Sequence, residues 1–375
     1  MARDKMAARF KVGIKSALAG VGVEVRRLPK SDYDTSVDTT IVGPYKIHNF
    51  GDDLIGAVMG RHLVAQGRSV RVNGLSVENS RAFGFQSPAP YGARMSSTRN
   101  LVVGGGGLLG DAGVRPKSEY MELGLDAARR ARRIGADVKI VGVGAGPLAV
   151  GKHRDIARAL AAEASHIAVR DAESYQFCVE ELGVAPANLT QGADVALLWP
   201  DVLGSTRIPN QRLGLQCDIT DWLPPAQEKL VAEQFALSAR ESLEDIFLIT
   251  PMRSSELARY FDESFVPQLR YDTLKDYLPH LSGLRAIVTT HLHISIAAYA
   301  ARVPCFTIYV NDKTRRFYDQ IGRPDRALPA TTASVDAVRD LIDRARVAEW
   351  EPFDDLRLDQ LKVESAALLE TMDHA

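Results

Sequence analysis

Apolar positions along this chain form two alternating kinds of segment. Short apolar runs that end in glycine or a polar residue are followed by longer stretches with apolar positions at helical spacing. This is the pattern of strands buried on both faces and the helices that cover them. In the first half it predicts strands over Thr39 to Lys46, Ser69 to Leu75, Asn100 to Val103, Lys139 to Val143 and Ile167 to Arg170. The helices expected between them are Leu54 to Gln66, Glu119 to Ile134, His153 to Ser165 and one from about Ala172. Ser205 to Arg212, polar and holding Pro209 and Asn210, marks a domain boundary. Beyond it the alternation resumes, with strands over Leu213 to Cys217, Ile246 to Thr250, Gln268 to Tyr271, Arg285 to Thr290 and Cys305 to Val310. The helices there are Gln227 to Leu243, Ser255 to Phe261, Leu274 to Leu281 and Ile294 to Arg302, the last stopped by Pro304. Ser334 to Arg346 and Leu358 to Met372 are closing helices. The expected organisation is α/β, with a basic segment (1–38), two doubly wound domains (39–205 and 206–330) and a helical tail (331–375).

In such sheets ligands bind in the crevice beyond the carboxyl ends of the strands, where helix N-termini also present N–H groups to anions. His48, Asn49, Gly51, Asp52 and Asp53 follow the first strand. Acids in a first helical turn complement the helix dipole without any function, and equally stand where a ligand would meet them. Gly104 to Gly107 follow the third strand; Gly105, Gly107 and Gly110 have GxGxxG spacing. The AGVRPKS run behind them reads as a loop, not as the helix a dinucleotide fingerprint requires. Successive glycines call for positive φ or a close visitor to the backbone, here expected to be a substrate. Gly144 ends the fourth strand, Arg170 the fifth, and Arg253 follows Ile246 to Thr250. His291-Leu292-His293 and, one strand later, Lys313 complete the series. Singly, each histidine is as readily a cap or a packed imidazole, and Arg253 and Lys313 are as readily solvated. Their recurrence at successive strand ends makes the case for a site.

Charge and composition narrow the classes. With 375 residues, 46% hydrophobic, 25% charged and a net charge of -1, the chain reads as a globular protein without the basic excess of a nucleic-acid binder. Cys178, Cys217 and Cys305 form no CxxC pair and read as buried thiols in a reducing compartment. Met6, Phe10, Ile14 and Leu18 lie four apart among basic residues, which fits an amphipathic helix against an anionic inner leaflet as well as a solvated one. No run suits a bilayer span or a signal peptide, so a cytoplasmic protein with peripheral membrane contact is expected. No metal is expected, since His291 and His293 lack a third ligand nearby in sequence. Walker and GxSxG motifs are absent.

Taken in order, Asn49-Phe50-Gly51-Asp52, Val103 to Leu109, Gly142 to Leu148, Val169-Arg170-Asp171 with Ser174, Gly192 to Ala196 and His291 to Lys313 resemble the polysaccharide pyruvyl transferase family, over about Thr39 to Gly322. The resemblance implies a GT-B-like fold, two Rossmann-type domains facing a cleft. It also implies transfer of a pyruvyl group from phosphoenolpyruvate, a co-substrate and not a cofactor, onto a sugar diol of a cell-surface polysaccharide or glycolipid, giving a pyruvate ketal. On that basis His293 would be the acid, Asp52 would orient or deprotonate the acceptor, and Arg170 and Lys313 would hold the donor's anions. Arg253, His291 and Leu292 would complete the donor side; Asn49, Gly105, Gly106, Gly107 and Gly144 would face the acceptor. One position departs from the pattern: His291 stands where the family commonly has arginine. Histidine is shorter and lacks the bidentate fork, which opens the donor's identity and makes Arg253 a substitute clamp. A glycosyltransferase using a nucleotide-activated sugar and a non-catalytic glycan-binding relative remain open on the same fold.

Overall fold

The computed structural model describes residues 36–86, 98–110, 118–204, 206–218, 224–240, 245–251 and 267–373. The basic residues of the N-terminal segment, Arg253, the AGV run after Asp111 and the helix expected from Ser255 lie outside them. From Ser36 onward the chain forms one compact unit.

Two six-stranded parallel sheets organise it. The first holds β1 (Val37–Val42), β2 (Val70–Asn73), β3 (Thr98–Gly104), β4 (Asp137–Val143), β5 (His166–Val169) and β6 (Leu189–Gln191), in the order β2-β1-β3-β4-β5-β6. The second holds β7 (Leu213–Gln216), β8 (Ile246–Thr250), β9 (Gln268–Arg270), β10 (Ala286–Thr289), β11 (Cys305–Tyr309) and β12 (Ala327–Pro329), in the order β12-β11-β10-β7-β8-β9. Strand order reverses between β1 and β3 in one sheet and between β7 and β10 in the other, the positions where sheets of this kind offer a crevice.

The helices are α1 (Phe50–Ala65), α2 (Val77–Ala82), α3 (Glu119–Arg133), α4 (Gly151–Glu163), α5 (Ala172–Glu180), α6 (Trp199–Val202), α7 (Pro225–Arg240), α8 (Leu274–Leu281), α9 (Leu292–Ala300), α10 (Asp312–Gln320), α11 (Val335–Arg346) and α12 (Pro352–Glu370). One face of the first sheet packs with α3, α4 and α5, and one face of the second with α7 and α11. The remaining faces share a single core with α1, α8, α9 and α12. Every residue of α9 is buried, as expected of a helix apolar nearly all round and enclosed on all sides. Trp199 Nε1 donates to Ala297 O at 2.9 Å, tying the end of the first half to α9.

Several boundaries differ from expectation for local reasons. β1 stops at Val42, because Pro44 has no N–H for the ladder and starts a 3-10 turn over Pro44–Ile47. Helix α1 begins at Phe50, where Asn49 Oδ1 accepts from Gly51 N at 3.0 Å and caps it. Helix α9 begins at Leu292, which puts His291 at its N-cap and His293 within its first turn. Asn311 to Arg316, one reading of which was a solvated stretch, opens helix α10 and buries Thr314, Phe317 and Tyr318 at helical spacing. Helix α12 is longer than expected and starts at Pro352 with a capping box between Glu351 and Asp354. It returns to the first sheet, where Lys139 Nζ donates to Thr371 O (2.7 Å) and Arg68 donates to Met372 O (3.0 Å) and Asp373 O (2.6 Å). Among the described residues no helix is long and apolar enough to cross a membrane.

Candidate active site

Because every strand in both sheets is parallel, the chain leaves each sheet at one edge. There β1 hands over to Asn49–Asp53, β3 and β4 to their glycines, β5 to Arg170 and Asp171, and β6 to Asp194. From the second sheet β10 hands over to His291 and His293, and β11 to Asn311, Lys313 and Arg316. A cleft with about 460 Å³ of empty space lies between the two sets, lined by Gly107, Gly144, Arg170, Asp171, Lys313 and Arg316 among others.

The glycines serve two purposes. Gly105 and Gly106 have positive φ (94° and 64°), which explains the residue type directly. The visitors to their backbone are protein groups: a Cβ on Gly106 would lie 2.8 Å from Asp52 Oδ1, and one on Gly105 3.3 Å from Tyr45. Gly107 and Gly144 line the cleft together with Gly110 and Gly146, and Gly144 also makes room for Arg170, whose guanidinium would be 3.0 Å from an added Cβ. The glycine turns are joined, with Gly144 N donating to Gly106 O at 2.8 Å. A Cβ on Gly51 would meet His293 Nδ1 at 2.2 Å, so the start of α1 lies directly against that imidazole.

Charges converge here in a shared field. Asp52 is buried at the start of α1, and burial pushes its carboxyl up to about 7, against the pull of Lys313 and Arg170. Burial brings the Lys313 ammonium down to about 8, helped by Arg170 and opposed by Asp52. His291 is held at about 4 by burial and then by Lys313, so it is neutral at ordinary pH. His293 lies well below its usual value, through burial first and then Arg170, His291 and Lys313. Two of the three cations have carboxylate partners: Arg170 Nη1 donates to Asp194 Oδ2 at 2.9 Å, and Arg316 Nη1 lies 3.3 Å from Asp171 Oδ1. Lys313 has no ion-pair partner within 4 Å among the described residues, although the Asp52 charge acts on it.

Of the residues expected from sequence, Arg170 and Lys313 line the cleft, whereas Asp52 and His293 are buried beside it and His291 stands at the N-cap of α9, each coupled through charge to one or both of those cations. Asn49 caps α1 and Leu292 is buried in the shared core. Sequence reasoning quoted Asp171 and the segment holding Asp194 within motifs but gave neither a role, and did not single out Arg316. Asp194 sits in the GADVA segment at a strand end, and Arg316 lies three residues after Lys313 on one helix, so position alone could have flagged both. A second network links α1 to the far lobe. Tyr271 Oη donates to Asp53 Oδ2 at 2.6 Å and accepts from Asn79 Nδ2 at 3.0 Å, while the His48 ring stacks on Tyr271 at 4.9 Å. Burial pushes the Asp53 carboxyl up to about 8, with the Tyr271 bond opposing. Among the described residues no group of three or more His, Cys, Asp or Glu side chains could hold a metal.

Comparison with known proteins adds the following. A family model described as polysaccharide pyruvyl transferase matches residues 49–312. No curated protein matches the sequence significantly. Among solved structures, UDP-GlcNAc 2-epimerase from Methanocaldococcus jannaschii superposes with a TM-score of 0.62 at 10% identity, covering 90% of this chain and 99% of that one. UDP-GlcNAc 2-epimerase from Neisseria meningitidis gives 0.60 at 8% identity, with the same coverages of 90% and 99%. A putative UDP-N-acetylglucosamine 2-epimerase from Listeria monocytogenes gives 0.57 at 12%, covering 87% and 94%. At such identities the likeness is one of fold, GT-B-like, with two Rossmann-type halves.

Proposed function

The chain belongs to the polysaccharide pyruvyl transferase family, and from this we propose that it moves a pyruvyl group from phosphoenolpyruvate onto a sugar diol of a surface polysaccharide or glycolipid. The observation that carries the reading is the convergence of Lys313 with Arg170, His291, His293 and Asp52 at the strand ends of both sheets. Phosphoenolpyruvate is a small polyanion, and Lys313 and Arg170 supply the charge-assisted hydrogen bonds its phosphate and carboxylate need. Neutral His291 contributes hydrogen bonds where the family commonly has an arginine, so Lys313 and Arg170 carry the larger share of charge.

The chemistry needs a proton at C3 of the enol, a sugar hydroxyl adding at C2, departure of phosphate, and a second hydroxyl closing the ketal. Of the two protons that leave the hydroxyls, one is balanced by the proton that enters at C3 and the other departs on the phosphate, so the sum is ketal plus inorganic phosphate. His293 is assigned as the acid. Asp52, with its carboxyl at about 7, is suited to take a hydroxyl proton near neutral pH. The glycine turns at Gly107 and Gly144 leave backbone accessible to the acceptor. The test is to incubate the protein with phosphoenolpyruvate and a panel of sugar diols, following phosphate release and the mass of the acceptor. Ketal formation that disappears in His293→Ala supports the assignment. Unchanged transfer in that variant removes His293 from the mechanism, and binding of nucleotide sugars with no response to phosphoenolpyruvate overturns the reading.

A further inference from the structure

One oxygen of Asp194 faces two basic side chains from different lobes. Oδ2 accepts from Arg170 Nη1 at 2.9 Å and lies 3.8 Å from His293 Nε2. Oδ1 accepts from Ala196 N at 3.0 Å, which fixes the plane of the carboxylate. His293 Nε2 is buried and makes no hydrogen bond among the described residues. A buried polar atom left this way is costly, so it stands ready for a partner. The carboxylate oxygen nearest to it is already engaged by a guanidinium that lines the cleft.

We propose that Asp194 is a positioning residue that transfers its charge from Arg170 to His293 when an anionic donor binds, so that His293 takes up one proton from solvent in the same event. The inference rests on the phosphoenolpyruvate reading above. A phosphate or carboxylate drawn to Lys313 and Arg170 competes with Asp194 for the guanidinium. As that bond weakens, Oδ2 is left facing an imidazole nitrogen with no other partner. The new N–H forms at Nε2 and donates to Oδ2, leaving Nδ1, over Gly51, as the second nitrogen of an imidazolium.

The groups around His293 make the event conditional. Arg170 from the end of β5, Lys313 from α10 and His291 on its own helix all oppose a positive ring, and burial does so more strongly. Asp194 favours the positive ring, as does Asp52, next to Gly51, when ionised. A polyanionic donor reverses the sign of the balance, because it neutralises the two cations that oppose protonation. The histidine then becomes an acid only when an enol carbon is present to receive its proton, which also guards against idle protonation chemistry.

Calorimetric titration of the full chain with phosphoenolpyruvate at about pH 8, in buffers of differing ionisation enthalpy, counts the protons taken up per ligand bound. Asp52 and Lys313 contribute a background common to all variants. Wild type should therefore take up about one proton more than D194N or H293Q. Phosphoenolpyruvate binding without uptake in wild type, or wild-type uptake in D194N, overturns this proposal and leaves the donor reading standing. Absence of phosphoenolpyruvate binding by wild type overturns both. If the D194N or H293Q chain does not fold, nitrogen NMR of the eight histidines in wild type decides: one imidazole must become protonated as phosphoenolpyruvate is added, and unchanged spectra overturn the proposal.

Discussion

Gly51→Ala separates geometry from stability at the site. An alanine Cβ there would lie 2.2 Å from His293 Nδ1 and 2.4 Å from its Cβ and Cγ. Ordinary contact needs about 3.5 Å, so the starts of α1 and α9 must part by roughly the difference, about 1.3 Å. Overpacking of this kind costs about 1–3 kcal/mol, and alanine's better helix propensity returns up to about 1 kcal/mol of it. Net destabilisation should therefore be small, about 0–2 kcal/mol, and the protein should remain folded. Catalysis is far less forgiving, since a displacement of about 1 Å in a reacting group costs on the order of a hundredfold in rate. The expectation is a urea midpoint near that of wild type alongside a kcat/KM for ketal formation reduced about a hundredfold. Phosphate release and equilibrium unfolding measured on the same preparation provide the comparison. A variant with wild-type turnover refutes the claim that contact between α1 and α9 sets the position of His293.

Other perturbations test the surrounding electrostatics. Tyr271→Phe removes the 2.6 Å bond to Asp53 and leaves Asn79 Nδ2 without that acceptor, so urea unfolding should show a loss of about 1–3 kcal/mol; no change would mean the network adds nothing to stability. Asp53 holds its proton more tightly folded (about 8) than unfolded (about 4), so its stabilising contribution is complete below about pH 4 and lost as pH rises towards 8. Asp53→Asn should flatten that decline in unfolding midpoints, and a profile parallel to wild type would contradict the assignment. Lys313 has the opposite sign: its folded value of about 8 lies below the unfolded one, so stability improves as pH rises from about 8 to 10.5. Lys313→Met should raise the unfolding midpoint at pH 7 while weakening phosphoenolpyruvate binding, and a lowered midpoint would show the ammonium to be stabilising.

How far the molecule could be read from its sequence depended on whether a signal was local. Alternating patterns located most of the strands; Ile246–Thr250 was placed to the residue because burial on both faces leaves a continuous apolar run, and the helix Leu274–Leu281 because its apolar positions keep helical spacing. Edge strands β6 and β12, three residues each, were not foreseen, whereas β9, equally short, was. Helix α10 was not read, although Thr314, Phe317 and Tyr318 stand at helical spacing, because the charges around them suit a solvated stretch. Asp52, Arg170, His291, His293 and Lys313 could be proposed from sequence because strand ends are countable there. Their partners were harder to see. Asp194 meets His293 and Tyr271 meets Asp53 only after two lobes have folded against each other, and nothing near either residue in sequence announces the pairing. Conversely, the glycines after β3 suggested a substrate, whereas two of them accommodate Asp52 and Tyr45.

The return of α12 sets an order of events during synthesis. A Cβ on Gly192 would meet Glu364 O at 2.3 Å, and Leu358, Leu361, Leu368 and Leu369 are buried in the shared core, so this helix seals the first sheet from the far end of the sequence. At about 5–20 residues per second, β6 leaves the ribosome roughly 10 to 35 s before the last turn of α12. For that interval the nascent first lobe carries an apolar face that only a segment not yet translated can cover. Expressing the two halves as separate polypeptides should therefore yield a first half that needs chaperone protection, and one whose solubility is restored by supplying Pro352–Glu370 with it.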